Sequence, residues 1–599
     1  MRTLGLALCA IAMLGVAQAR AADPAKVVRY AFRVAEAGFD PVQISDRYSF
    51  MVIEALFDSL LTYDYLAEPV RLVPNVVEAM PEVTDGGATY TMRIRKGIYF
   101  AADPAFNGKR RELVAQDFAY SIRRFYDPKL RSPSLFFFEG KVIGADEVRA
   151  RAKQTGNYDY DAPIAGLEVP DRYTLRIRLK QPYYNFLYVL AMPTAVALAR
   201  EAVEYYGDDV TAHPVGTGPF VLRDWRRSSR AVLEANPGYR EEYFQGSEGS
   251  TALDRAIYAN LKGKRLPLVG RIETTVLEEP QPRWLGFFNQ EFDYLEYLPN
   301  DYINVVAPNG RLAPNLAKRG IGMQRTPELE TTITAFYNME DPVIGGYTPE
   351  KVALRRAMNL GYNQTEEIMV VRKGEAMPAE SPVPPGVVGY DPNFRTHAGE
   401  YDPARAKALL DLFGYLDRDG DGYRELPDGR PLVLEFGSPP ASEYRDLDLV
   451  WKKSMDAIGI NIRFKKERWP DLAKDARGKT LQVGSFIAWF ADYPDSDNFL
   501  QLLYGPNAAP QSNLSNFNLP AFNLLYERAR RLPDSPERTR LYQEMTRLFL
   551  AYAPWKLGVH RFQTHLSQPW LLNYKKHSIL YEPWKYLDVD LDLQRKSTH

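Results

Sequence analysis

Apolar and polar residues alternate with a period of two along residues 27–33 (Val-Val-Arg-Tyr-Ala-Phe-Arg), which predicts a strand. Asp46 stands where it can cap a helix whose apolar positions run through residues 52–61. Strand followed by helix opens an α/β domain. Two strand-like runs then flank Asp85-Gly86-Gly87, and residues 88–95 (Ala-Thr-Tyr-Thr-Met-Arg-Ile-Arg) alternate cleanly ahead of Lys96-Gly97-Ile98-Tyr99-Phe100. This is the pattern of a hairpin-rich insertion. A helix is expected over residues 114–125, and residues 173–179 return to strand. Val352, Leu354, Ala357 and Met358 mark an amphipathic helix. Residues 481–490 read as one buried strand that delivers Asp492 to a turn at Tyr493-Pro494. No long linker, low-complexity tract or internal repeat separates these segments, so lobes made from discontinuous pieces are expected.

The N-terminus departs from this pattern. Residues 4–16 form an uninterrupted apolar run after Arg2 and end in Ala17-Gln18-Ala19-Arg20-Ala21. At about 1.5 Å per residue such a run falls far short of the roughly 30 Å hydrocarbon core, whereas a charged start, a short apolar core and an A-x-A end fit a cleavable signal peptide over residues 1–21. Cleavage is expected after Ala19 or Ala21. Cys9, the only cysteine, sits within the run behind a bulky leucine, a poor context for lipid attachment. The mature chain would then have neither disulfide nor thiol chemistry and would work in the periplasm.

Composition narrows the picture further. With 599 residues and 45% hydrophobic content the chain can build a large core and is too long for one domain. Its 75 basic and 76 acidic residues leave a formal charge of −1, and loss of Arg2 and Arg20 with the leader takes it to about −3, so nucleic acid is not an expected partner. The 38 tyrosines supply amphipathic rings suited to lining a cleft.

An ordered series of blocks resembles one known family. Pro74-Asn75-Val76-Val77-Glu78-Ala79, Asp85-Gly86, Thr89-Tyr90-Thr91, residues 95–100 and Asp117-Phe118-Ala119-Tyr120-Ser121 follow the opening signature of family 5 extracellular solute-binding proteins, the peptide-type receptors of ABC importers. Residues 214–220 (Pro-Val-Gly-Thr-Gly-Pro-Phe) with Trp225, residues 354–358 (Leu-Arg-Arg-Ala-Met) and residues 488–495 (Ala-Trp-Phe-Ala-Asp-Tyr-Pro-Asp) resemble its later blocks. The resemblance implies a two-lobed clamshell: a first lobe from residues 22–65, 206–325 and 565–599, with a hairpin-rich subdomain at 66–205, and a second lobe at 326–564. It implies a monomer that takes a short peptide between its lobes and delivers it to an inner-membrane permease with ATPase subunits. In peptide-binding members the aspartate matching Asp492 pairs with the ligand ammonium, and the strand before it, here Ala488, Trp489 and Phe490, hydrogen-bonds the peptide backbone. Arg355 is a further candidate for a ligand carboxylate, with an ion pair as the alternative, and Ser45 lies in a stretch that lines the cleft in peptide receptors. Where many members have Asp-Arg or Asp-Lys after the residue 354–358 helix, this chain has Asn363-Gln364. The glycine block itself reads as a rigid turn, with Gly216 and Gly218 chosen for their backbone freedom.

Other chemistry is thin. Asp417, Asp419 and Asp421 match the first half of a calcium loop, but the twelfth position is Asp428 and residues 432–436 alternate like a strand, so a structural calcium competes with a plain Asp/Gly hairpin. Gly478-Lys479-Thr480 lacks the rest of a phosphate loop. A secreted hydrolase would need a nucleophile or zinc motif, and neither G-x-S-x-G nor H-E-x-x-H occurs. A receptor for a metal chelate, haem or an oligosaccharide stays open at this point. No catalytic residue and no resident cofactor are expected.

Overall fold

The computed structural model describes residues 22–396, 399–440 and 442–597; the leader lies outside them. Strand β1 (Asp23–Phe32) runs parallel to Val269–Val276 in a four-stranded sheet completed, antiparallel, by Arg230–Ala235 and Phe220–Arg226. After β1 comes helix α1 (Arg47–Leu56), where the Asp46 carboxylate accepts the Ser49 N–H at 2.8 Å, as its capping position predicts. The chain next builds a second sheet in the order Glu82–Thr84, Thr89–Arg93, Thr174–Arg178, Leu167–Asp171, all antiparallel. Asp85, Gly86 and Gly87 join its first two strands with φ of 52°, 64° and 100°, left-handed values that glycine meets without steric cost. Helix Ala115–Phe125 covers this sheet, and one continuous apolar core joins it to the β1 sheet.

The expected helix over residues 52–61 ends early, at Leu56. Its Leu56 carbonyl accepts the Gly218 N–H at 2.9 Å, so a tertiary bond takes the place of the next helical one. Gly216 and Gly218 are glycines for this reason. A Cβ on Gly216 would lie 2.0 Å from the Leu56 oxygen, and one on Gly218 2.6 Å from the Leu56 carbonyl carbon. Neither has positive φ, so the block serves close backbone approach rather than an unusual turn.

Strand β2 (Gly322–Pro327) leads out of the first lobe and β3 (Glu330–Tyr337) is fully buried at the centre of the second. Helix α2 (Pro349–Gly361) packs on one face of the second lobe's sheet, which runs Asn461–Lys466, Val433–Ser438, Val483–Gly484, β3 and β4 (Ile487–Phe490), with Trp555–Leu557 also on β3. Two apolar clusters flank it, one centred on Tyr337, Leu354, Met358 and Trp451, the other on Phe336, Leu503, Phe522 and Phe549. The chain returns along β5 (Val559–Ser567), which pairs antiparallel with β2. Adjacent strands β2 and β5 therefore carry both crossings between the lobes. Among the described residues no helix is long and apolar enough to cross a membrane.

The expected single strand over residues 481–490 is two. Val483–Gly484 ends at Ser485, whose hydroxyl bonds the Thr334 carbonyl, and β4 resumes at Ile487 on the sheet edge, with Phe490 49% exposed. Edge position, not burial, is its character.

Candidate functional site

Strand β4 is paired on one side only. Ile487 to Phe490 align antiparallel with Ile333 to Glu330 of β3, and the Ala491 N–H continues to the Leu329 carbonyl. Antiparallel alternation then turns the backbone groups of Ala488 and Phe490 away from β3, and among the described residues no strand meets that edge. An unpaired edge of this kind is a template for an extended chain.

At the end of β4 the turn through residues 491–498 holds three acids in different states. Asp495 is buried and bidentate with Arg538 at 2.7 and 2.9 Å, and also accepts the Tyr542 hydroxyl at 3.0 Å. Asp497, buried too, accepts the hydroxyls of Tyr493 at 2.8 Å and Tyr183 at 3.4 Å and the Asn185 amide at 3.3 Å. Tyr183 and Asn185 belong to the first lobe's subdomain, and Asn185 also reaches Asp495 at 3.1 Å, so this face of the turn ties the lobes together. Of the three, only Asp495 is ion-paired among the described residues; Asp497 is left to neutral donors, and Asp492 has neither a cation nor a hydroxyl. Its carboxylate accepts a single neutral bond, from the Asn498 amide at 2.9 Å, and burial raises its pKa to about 6.

Asn498, itself fully buried, organises the site. Its oxygen accepts both the Asp492 backbone N–H at 3.0 Å and the Trp489 indole N–H at 2.9 Å, while its nitrogen holds the carboxylate. Trp489 therefore packs as a positioning residue, with its ring against Leu329, Val383 and Phe499. Across the cleft stands Tyr581, whose hydroxyl pKa is raised by burial and then by the charge of Asp492; Arg47, Glu54 and Asp46 act on the same ring. Phe490 faces the Arg561 guanidinium at 5.7 Å.

The sequence-derived candidates divide accordingly. Asp492, Trp489, Ala488 and Phe490 come together at the strand edge. Ser45 is exposed, one residue before the α1 cap Asp46, and is not brought to the strand edge by any contact among the described residues. Arg355 is a correction. It is fully buried inside the second lobe and donates to the carbonyls of Ile344, Gly346, Tyr552 and Ala553, so it forms neither the expected ligand contact nor an ion pair. Burial without a counter-charge pushes its guanidinium down to about 10. Asp417, Asp419 and Asp421 do converge, with Glu425 and not Asp428 as the fourth carboxylate. Asp428 bonds Arg430 instead, and the loop carboxylates accept the backbone N–H groups of Gly420, Asp421, Gly422 and Tyr423. Sequence reasoning missed Asn498, Tyr581, Tyr183 and Asn185. Asn498 alone left a signal, as the polar residue closing the Ser-Asp-Asn run after the turn.

Two α/β lobes joined by paired strands, with an edge strand and an uncompensated carboxylate facing the gap, define a receptor that encloses its ligand. The model of bacterial extracellular solute-binding proteins, family 5, matches residues 71–511, and the chain belongs to that family. The chain is 26% identical over 543 residues to di/tripeptide-binding protein 2 of Pseudomonas aeruginosa, covering 88% of each, and 25% identical over 586 residues to the dipeptide-binding protein of Escherichia coli, covering 94% of this chain and 93% of that one. Heme-binding protein A of Haemophilus influenzae is 24% identical, with 94% of this chain and 92% of that one covered. Among solved structures, the periplasmic binding protein DppA from Helicobacter pylori in complex with the peptide STSA superposes with a TM-score of 0.71 at 22% identity, over 94% of this chain and 98% of that one. Oligopeptide-binding AppA from Bacillus subtilis, in complex with a nonapeptide, gives 0.69 at 16% identity, over 94% and 99%.

Proposed function

We propose that this protein captures short peptides between its lobes in the periplasm and hands them to an inner-membrane ABC permease. The observation that carries the reading is Asp492: a carboxylate held in place by Asn498, raised in pKa, without a cation, at the end of an unpaired strand edge. A peptide α-ammonium supplies the missing charge through a charge-assisted bond, and the peptide's own amides pair with Ala488 and Phe490 whatever its side chains. Backbone pairing gives breadth and the carboxylate gives register. The di/tripeptide- and dipeptide-binding relatives support the same ligand class. Closure around ligand is a population shift, so the ligand must contact the closed form better than the open one. No catalytic step and no resident cofactor enter this reading, and the receptor acts as a monomer.

The test is native mass spectrometry of the protein purified from the periplasm, followed by titration with a random mixture of free-ended di- to pentapeptides. Bound peptides, together with at least tenfold weaker binding of the N-acetylated mixture, are expected. A homogeneous non-peptide ligand, or indifference to acetylation, would overturn the assignment.

A further inference from the structure

A cavity of about 390 Å³ opens in the second lobe, and no residue of β4 or of the turn through residues 491–498 lines it. Leu360 of α2, Phe549 of helix Pro536–Tyr552, and Trp555 and Leu557 of the strand on β3 give it an apolar floor. The floor is held from behind. Asn359 accepts the Tyr337 hydroxyl at 2.8 Å and donates to the Trp555 carbonyl at 3.0 Å, and the buried Arg355 donates to the carbonyls of Tyr552 and Ala553, where the helix stops. The cavity is therefore built into packed elements, and its size lies within the roughly 300–1,000 Å³ of small-molecule sites.

Its rim is cationic. Arg356 comes from α2, Arg395 from the segment ahead of helix Pro403–Leu412, Arg405 from the first turn of that helix and Arg547 from helix Pro536–Tyr552, and all four are exposed. Among the described residues no acid lines the cavity, and Glu400, 2.9 Å from Arg405, is the one carboxylate paired with any of the four. Arg395 donates to the carbonyls of Pro392 and Phe394 at 2.8 and 3.0 Å. Arg356 and Arg547 have neither an ion pair nor a side-chain hydrogen bond among the described residues. Like charges repel, so nothing in the packing draws four guanidiniums from separate segments to one hollow. Over a low-dielectric floor they focus a positive potential into it.

We infer that this hollow is a second binding site, for a small organic anion with an apolar body: the body rests on Leu360, Trp555 and Leu557, and a phosphate or carboxylate group meets the guanidiniums of Arg356 and Arg547. A guanidinium offers two parallel donors to such an oxyanion, the geometry in which arginine outperforms lysine. The apolar floor adds affinity that a bare inorganic anion cannot gain. The site is separate from Asp492 and stands whether or not the cleft between the lobes takes peptide.

The experiment is isothermal titration of the whole protein with four probes: 1-naphthyl phosphate, dodecyl phosphate, 1-naphthol and inorganic phosphate. At least one of the two organic phosphates should bind ten times tighter than either naphthol or inorganic phosphate, with naphthyl phosphate the tighter if the body is a ring and dodecyl phosphate the tighter if it is an acyl chain. The double variant Arg356→Gln/Arg547→Gln should weaken that binding at least tenfold, and Arg356→Lys/Arg547→Lys should weaken it less. Organic phosphates that bind no better than inorganic phosphate, or an affinity unchanged within twofold in the glutamine variant, overturn the site. Equal melting temperatures of the unliganded proteins check folding, which side chains without partners should leave intact, and the comparison of probes on wild type decides the question without any variant.

Discussion

If Asp492 answers an ammonium, peptide affinity must fall with acid, by an amount set by its surroundings. In the unliganded protein its pKa is raised to about 6 by burial, opposed by the one bond from Asn498. An ammonium favours the ionised form and lowers that pKa in the complex, so binding is linked to proton release. The sign follows: affinity approaches full strength above pH 7 and declines as pH falls through 6 toward the bound-state value. With a free pKa near 6, about nine-tenths of Asp492 is ionised at pH 7 and about one-tenth at pH 5, so affinity should drop about tenfold, or roughly 1.4 kcal/mol. Isothermal titration between pH 5 and 7 avoids deprotonating the peptide's own amine, and buffers of differing ionisation heat should reveal protons released near pH 6. Glu54, raised to about 7 by burial and also acting on Tyr581, titrates in the same window, so Asp492→Asn is the necessary control. That variant should bind weakly with a flat profile. A flat wild-type profile, or a tenfold slope surviving in Asp492→Asn, would refute the reasoning.

Three further outcomes follow from the packing. Gly218→Ala places a methyl 2.6 Å from the Leu56 carbonyl carbon and should cost about 3 kcal/mol in denaturant unfolding; a loss under 1 kcal/mol would mean the loop moves freely off α1. Arg538→Leu strands the buried Asp495 and should destabilise by about 3–5 kcal/mol, measured the same way, whereas a near-neutral result would mean Asp495 finds a proton or another partner. His560, His565 and His577 are held down to about 4, 3 and 3 by burial, so their ring resonances should show no protonation shift between pH 8 and 5, where an ordinary histidine titrates near 6.5.

Much of the scaffold was legible because it rests on local signals. Period-two alternation located β1 and the hairpin at Asp85-Gly86-Gly87, and Asp46 announced α1. What failed depended on distant partners. The end of α1 is set by Gly218, more than 160 residues on, and the break before β4 by the Thr334 carbonyl. Arg355 looked available because helix periodicity cannot reveal four carbonyls arriving from residues 344–346 and 552–553. At the site, the turn and its acids were visible in sequence, but which acid is left with a single neutral bond was not. That is a question of who stands opposite, and Arg538, Asn185 and Tyr183 answer it from other parts of the chain.

The seam between Leu56 and the glycine block bears on how such chains are recognised. The Val-Gly-Thr-Gly-Pro-Phe run is among the most conspicuous words in this sequence, yet its glycines are dictated by a helix end that must be approached within backbone distance. A word of that origin is a maker's mark on the container. It speaks for the architecture, and the contents have to be read elsewhere, from the charge left unanswered at Asp492.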